Sequence, residues 1–384
     1  MPDVLVFDDD PALGDLLGDL LRARKLSVSH FLSGSGLLQI VQEGRPRLVV
    51  LDIMMPGMDG LSACQALKAS PVTGHIKIVV VTAKHYGSDR EAAERFGADL
   101  FVQKPFDPGA LSNAIGRLLG MADEARPLVE APPAPPVMAT LLEGSAALES
   151  AGLWALFDAG RGLGEWLAGQ ARPAGDCWIC LTRYDEDALD GLAAAAALLR
   201  AGCRVKLAGP EDPESRLQHV APRLSSGERN TPLLYPQRET VFQLAPGIMA
   251  VTQYTHHPGP TIAYRVDLHG KRFVYCPTHE IPADDGPWTQ HERAKFRAFF
   301  QGADLLVHGF GRSVGDPVVH EGRASAWEPV VDLAKEAQVK RLALVGLPGA
   351  LIPPGLHEKM EARAAQGGSS LEAVVGRPLQ RILL

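Results

Sequence analysis

Four short apolar runs in the amino-terminal third of the chain each lead into polar residues. VLVF (4–7) precedes Asp8, Asp9 and Asp10; LVVL (48–51) precedes Asp52; KIVVV (77–81) precedes Thr82; LFVQ (100–103) precedes Lys104 and Pro105. The runs are continuous and rich in β-branched residues, as in strands buried on both faces. Between them lie stretches of helical patterning at 13–24, 60–69, 89–96 and 108–119. This alternation predicts a doubly wound parallel sheet, in which functional groups gather beyond the carboxyl ends of the strands. Three acids, a hydroxyl and an amine then meet at one edge.

Composition places this unit within a larger molecule. A chain of 384 residues exceeds a typical single core. The stretch RPLVEAPPAPPVM (126–138) reads as a semi-rigid spacer of polyproline character. We expect domains at 1–121 and 139–384 joined by a proline-rich linker at 122–138. A formal charge of −7 gives no general reason to bind nucleic acid or an anionic membrane. The longest apolar helix candidate, LAAAAALL (192–199), is too short to span a bilayer. The first strand begins almost at once, so no signal peptide is expected and a cytoplasmic location is. Five scattered cysteines (Cys64, Cys177, Cys180, Cys203, Cys276) suit reduced thiols. The CWIC pair lies in a strand-like run, where positions three apart face opposite sides, so core packing is expected.

Clustered carboxylates repel one another unless a hard cation sits among them, and an oxygen-only ligand set suits magnesium. Asp52 is then placed to act as a nucleophile toward phosphorus, Lys104 to neutralise a phosphoryl oxygen, and Thr82 to donate to another. VFDDDP, LDIMMPGMDG, VVVTA and FVQKPF stand in the order found in two-component response regulators, and residues 1 to about 120 resemble their receiver domain. The resemblance implies a flavodoxin-like sheet of five parallel strands. It further implies that Asp52 accepts phosphate from a sensor histidine kinase or phosphotransfer protein. Mg²⁺ would be held by Asp8, Asp9, Asp52 and the main-chain carbonyl of Met54. Thr82 and Phe101 would be switch residues, and Met54 and Lys84 would lie where the family varies phosphoryl lifetime. The face at about 88–119 would serve a possible homodimer.

The second half carries another pattern. TRYDEDALDGL (182–192) has the framework of T-H-x-H-x-D-H-x-x-G-L, with Arg183, Asp185 and Ala188 at the histidine positions. This half resembles the metallo-β-lactamase fold family, which implies an α/β/β/α sandwich. LFDAGRGL (156–163) is similar to that family's strand and glycine turn, HHPGPTIAYRV (256–266) places His257 at a histidine ligand, and FVYCPTHE (273–280) has Thr278 in place of a bridging aspartate. Gly346 stands for the last histidine ligand and Arg323 for a further histidine. Of the positions Arg183, Asp185, Asp187, Ala188, His257, Thr278 and Gly346, Asp187 and His257 keep the family residue. An arginine cannot ligate, because it stays protonated.

No zinc or other metal is therefore expected in this half, which reads as a pseudoenzyme. Arg183 is expected to pair with Asp185 or Asp187 in place of the lost ion. His256, His279, His308 and His320 read as ordinary hydrogen-bonded residues. About sixteen residues separate the linker from LFDAG, so the first strands are expected to be shortened. The reading that follows is a phosphorylation-controlled regulator whose output domain acts on an unidentified protein partner. An anionic ligand held by Arg183 and Arg323 is the alternative, and an active metal-dependent hydrolase the remaining one.

Overall fold

The computed structural model describes residues 2–9, 11–82, 87–103, 108–121, 135–150, 152–170, 176–224, 231–245, 247–257, 259–281, 286–312, 325–346 and 354–384. The chain divides into two compact units, one formed chiefly by Met1–Pro132 and the other chiefly by Pro133–Arg238 and Leu244–Leu384.

The first unit alternates β1 (Val4–Phe7), α1 (Pro11–Ala23), β2 (Val28–Phe31), α2 (Leu37–Gly44), β3 (Leu48–Asp52), α3 (Gly60–Ala69), β4 (Lys77–Thr82), α4 (Gly87–Arg95), β5 (Leu100–Gln103) and α5 (Pro108–Leu118). All neighbouring strands are parallel, in the order β2-β1-β3-β4-β5. This is the flavodoxin-like order, with its switch point between β1 and β3. The four runs legible in the sequence are β1, β3, β4 and β5. Strand β2 was not, because this edge strand is half-exposed along its whole length and has no continuous apolar run. Asp59 caps α3, its carboxylate accepting from the N–H groups of Leu61 and Ser62 at 3.1 Å each. Gly60 is required there, since a Cβ would overlap the main-chain carbonyl of Asp52.

The second unit contains β6 (Met138–Leu142), β7 (Ser145–Ser150), β8 (Leu153–Phe157), α6 (Leu163–Ala168), β9 (Asp176–Cys180), α7 (Glu186–Leu189), α8 (Leu192–Arg200), β10 (Arg204–Pro210), α9 (Arg216–Val220), β11 (Leu233–Gln237) and β12 (Val241–Ala245). There follow β13 (Ile248–Tyr254), β14 (Ile262–Leu268), β15 (Lys271–Cys276), α10 (Pro287–Phe300), β16 (Leu305–Arg312), β17 (Ser325–Ala326), α11 (Trp327–Glu336), β18 (Arg341–Gly346), α12 (Leu356–Ala365), β19 (Glu372–Val375) and β20 (Arg381–Leu383). One sheet runs β11-β10-β9-β8-β7-β6-β20, the other β12-β13-β14-β15-β16-β18-β19 with β17 beside β16. The short space before LFDAG accommodates two strands of five and six residues, because Leu142 pairs directly with Ser145 across a two-residue turn.

The sheets face each other through aromatic rings, with Phe157 of β8 5.7, 5.2 and 5.5 Å from Tyr264, Phe273 and Tyr275. Alternation along β8 and β9 sends Leu156, Cys177 and Ile179 the other way, into a core with Leu163, Trp166, Leu192, Ala195 and Leu199 of α6 and α8. Cys177 and Cys180 thus serve opposite faces of one strand, and all five cysteines are buried thiols. Helices α10, α11 and α12 cover the outer face of the other sheet. The result is the expected α/β/β/α layering. Among the described residues, no helix is long and apolar enough to cross a membrane.

Candidate functional sites

In the first unit the strand ends bring the acids together. Phe7 pairs with Leu51 in register, so Asp8 and Asp52 lie side by side at the ends of β1 and β3. Carboxylate oxygens of Asp8, Asp9 and Asp52 all lie within 4.8 Å of one another. Asp8 and Asp52 are buried while Asp9 is exposed. Among the described residues this is the only such convergence of three or more histidine, cysteine or acidic ligands. Three carboxylates held this close, two of them away from water, repel one another when ionised. A hard divalent cation relieves that repulsion, and the all-oxygen donor set fits Mg²⁺.

Thr82 ends β4 on the adjoining strand, buried, one residue beyond the Asp52–Val81 pair. Phe101 pairs with Val80 on β5 and its half-buried ring packs against the sheet's core. Met54 follows Asp52 by two residues with its side chain exposed. Lys104 directly follows the Thr82–Gln103 pair in sequence but, with Lys84, lies outside the described residues.

The corresponding edge of the second unit is built around Arg183. Phe157 pairs with Cys180, so the turns after β8 and β9 run side by side. Asp158, with φ of 57°, sits in the left-handed region and turns its carboxylate beneath the second of these turns. One carboxylate oxygen accepts from the Thr182 N–H at 2.7 Å, the other from the Thr182 hydroxyl at 2.7 Å. Two glycines permit the close approach. A Cβ on Gly160 would overlap the Glu143 carbonyl, and one on Gly191 the Gly160 carbonyl.

The Arg183 guanidinium enters this buried corner. Its Nε donates to Asp185 at 2.6 Å, its Nη1 donates to the Thr278 hydroxyl at 3.3 Å, and Nη1 lies 3.8 Å from Asp158. Burial pushes the Asp158 carboxyl up to about 6, against the opposing pull of Arg183 and the Thr182 hydrogen bonds. Burial also acts to lower the arginine, but Asp158 and Asp185 outweigh it and hold Arg183 protonated. Asp185 has a second task, capping α7 by accepting from the Ala188 N–H at 3.1 Å.

Of the two acids expected to pair with Arg183, the structure selects Asp185, while Asp187 lies half-buried in α7. Asp158 was missed in the sequence. Its signal was an acid between a strand and a glycine turn in LFDAG, but its partner stands 24 residues away in the turn that follows the neighbouring strand. Ala188 is fully buried, and Gly346 ends β18 exposed. His257 Nδ1 lies 3.2 Å from the Thr261 hydroxyl. Arg323 and His320 lie outside the described residues.

Three other histidines make local contacts. His256 packs edge-on against Trp288, and His279 stacks on Phe296 with ring centres 3.8 Å apart. His308, fully buried, donates from Nδ1 to the Gly309 carbonyl at 2.7 Å. Burial, reinforced by His308, holds His279 well below its usual value; burial alone lowers His308 to about 4.

Residues 4–116 match the family model of the response regulator receiver domain. Over 108 residues the chain is 41% identical to the DNA-binding response regulator MtrA of Mycolicibacterium smegmatis, covering 28% of this chain and 46% of MtrA. Over 104 residues it is 39% identical to the response regulator PleD of Caulobacter vibrioides, covering 27% of this chain and 23% of PleD. The chain thus spans less than half the length of these relatives. Among solved structures, the metallo-β-lactamase fold protein YhfI of Bacillus subtilis superposes with a TM-score of 0.52 at 16% identity, covering 65% of this chain and all of YhfI. At that identity the likeness concerns the fold alone. Residues 4–116 therefore form a response regulator receiver domain, joined in this chain to a unit of metallo-β-lactamase fold.

Proposed function

We propose that this chain is a phosphorylation-controlled regulator whose second unit works by binding a protein partner and not by metal-dependent hydrolysis. The proposed division is 1–121, a linker at 122–138, and 139–384, located in the cytoplasm with its kinase. In the first unit an Asp52 carboxylate oxygen attacks the phosphorus of a phosphohistidine. The N–P bond breaks, the histidine leaves, and an acyl phosphate forms on Asp52. Asp8, Asp9, Asp52 and the Met54 carbonyl would hold Mg²⁺, which supplies charge neutralisation when bound. Thr82 donates a hydrogen bond to a phosphoryl oxygen, Lys104 offsets its charge, and Phe101 moves with Thr82 in the switch.

The observation that carries the reading of the second unit is the buried Arg183 guanidinium among Asp158, Asp185 and Thr278. It places a permanent positive charge where the fold's resemblance would put a metal ligand, and it already neutralises the buried acid. Ala188, Thr278 and Gly346 offer no imidazole or carboxylate at three further positions. The anion-binding alternative loses support from the same contacts, since Arg183 is committed to two carboxylates.

The test joins two measurements on the intact protein. Acetyl phosphate with Mg²⁺ should add one phosphoryl mass to the wild type and none to Asp52→Asn; equal uptake by both removes Asp52 from the nucleophile role. Elemental analysis should find no stoichiometric zinc, manganese or iron. A metal retained at one or more per chain and lost on Asp187→Ala, together with a phosphodiesterase or lactonase activity, would overturn the reading of the second unit.

A further inference from the structure

Both main-chain groups of Asp8 are held by β2. Its N–H donates to the Phe31 carbonyl at 3.1 Å, carrying the β1–β2 ladder one residue beyond the Phe7–Phe31 pair. Its carbonyl oxygen lies 2.8 Å from Nε2 of His30. A carbonyl can only accept, so Nε2 carries the hydrogen and donates. The imidazole reaches this place because helix α1 has glycine at position 14. A Cβ there would overlap Nδ1 of His30 and the adjoining ring carbons. Sequence, helix and edge strand thus cooperate in one contact on a peptide group next to the acidic pocket.

That peptide group is the planar unit joining Asp8 to Asp9. Its orientation sets ψ of Asp8 and φ of Asp9, and with them the direction in which the exposed Asp9 carboxylate points. We propose that His30 is a positioning residue of the acidic pocket, seated by Gly14, which fixes the Asp8–Asp9 peptide so that both carboxylates face Asp52. The proposal rests on the reading of Asp8, Asp9 and Asp52 as the Mg²⁺ site. Outer partners of this kind ordinarily orient a ligand without touching the ion.

The experiment is a Mg²⁺ titration of the intact ¹⁵N-labelled protein, followed through amide resonances, on wild type, His30→Phe and His30→Gln. Phenylalanine keeps a ring in the Gly14 seat without the donor; glutamine keeps an N–H of similar reach. His30→Phe should weaken Mg²⁺ binding about tenfold, and His30→Gln should restore most of it. A purely structural role would instead follow ring volume, making phenylalanine the better substitute. Wild-type affinity in His30→Phe, or binding by His30→Gln no tighter than by His30→Phe, overturns the role of His30. Failure of the wild type to show Mg²⁺ binding that Asp9→Ala abolishes overturns the metal-site reading itself, and this proposal with it.

Discussion

At the scale of single residues, Asp158 and Arg183 matter most to the second unit, because each is the other's means of staying buried and charged. Removing one partner of such a pair is far more damaging than removing both. Arg183→Leu should therefore cost about 3 kcal/mol, and adding Asp158→Asn should recover most of the loss. All five tryptophans lie in the second unit, so their fluorescence in a urea titration reports this unit directly. A double variant as unstable as the single would show that the pair is not coupled.

His308 gives the same region a dependence on pH. Its folded value, near 4, lies below the ordinary 6.5. Its contribution to stability is thus complete above pH 6.5 and lost as pH falls through 4. Full loss corresponds to about 3 kcal/mol. Asp158 acts oppositely. Its folded value is raised from 3.8 to about 6, so its contribution is present below 3.8 and lost as pH rises through 6. The two partly cancel in the wild type. Comparison with His308→Gln isolates the histidine: the variant should lose less stability between pH 6.5 and 4. Parallel acid profiles for the two proteins would remove His308 as the source.

At the scale of elements, the connections between strands set where the site residues stand. Strand β16 passes beneath the segment that follows β15, and a Cβ on Gly309 would overlap the carbonyl oxygen of Pro277. That oxygen is main chain and cannot rotate aside. Gly309→Ala should displace the segment carrying Thr278 and cost about 1–3 kcal/mol. Gly169→Ala should be tolerated, because its φ of −91° suits any residue and its Cβ would make only a 3.6 Å contact. Equal urea midpoints for both variants would refute the constraint. The elements most legible in the sequence were those buried on two faces. Strands β1, β3, β4 and β5 announce themselves as apolar runs, and their ends supplied Asp8, Asp52 and Thr82. The edge strand β2 did not, so the part played by His30 was hidden with it. In the second unit the motif around Arg183 was legible, whereas its tie to Asp158 depends on β8 and β9 lying side by side.

At the scale of the whole molecule, the proposed control needs a route by which phosphorylation of Asp52 affects the second unit. If the proline-rich segment is only a tether, the proposed phosphorylation of Asp52 acts through a receiver surface whose contacts change. Small-angle scattering with Mg²⁺ and beryllofluoride, a phosphoryl mimic, should show a changed assembly state or spacing of the two units, absent in Asp52→Asn. Identical profiles at every concentration would instead assign the response to a separate partner protein.

A buried arginine tied to a buried acid also bears on what it would take to build a metal centre in this unit. Arg183→His would strip Asp158 of its cation before any ion had a full set of ligands, and Ala188→His would force a ring into a fully buried position. Each step toward a metal centre thus lowers stability first. A metal centre could therefore be built here only by changing several of these positions together, since any one substitution alone removes support before it gains an ion.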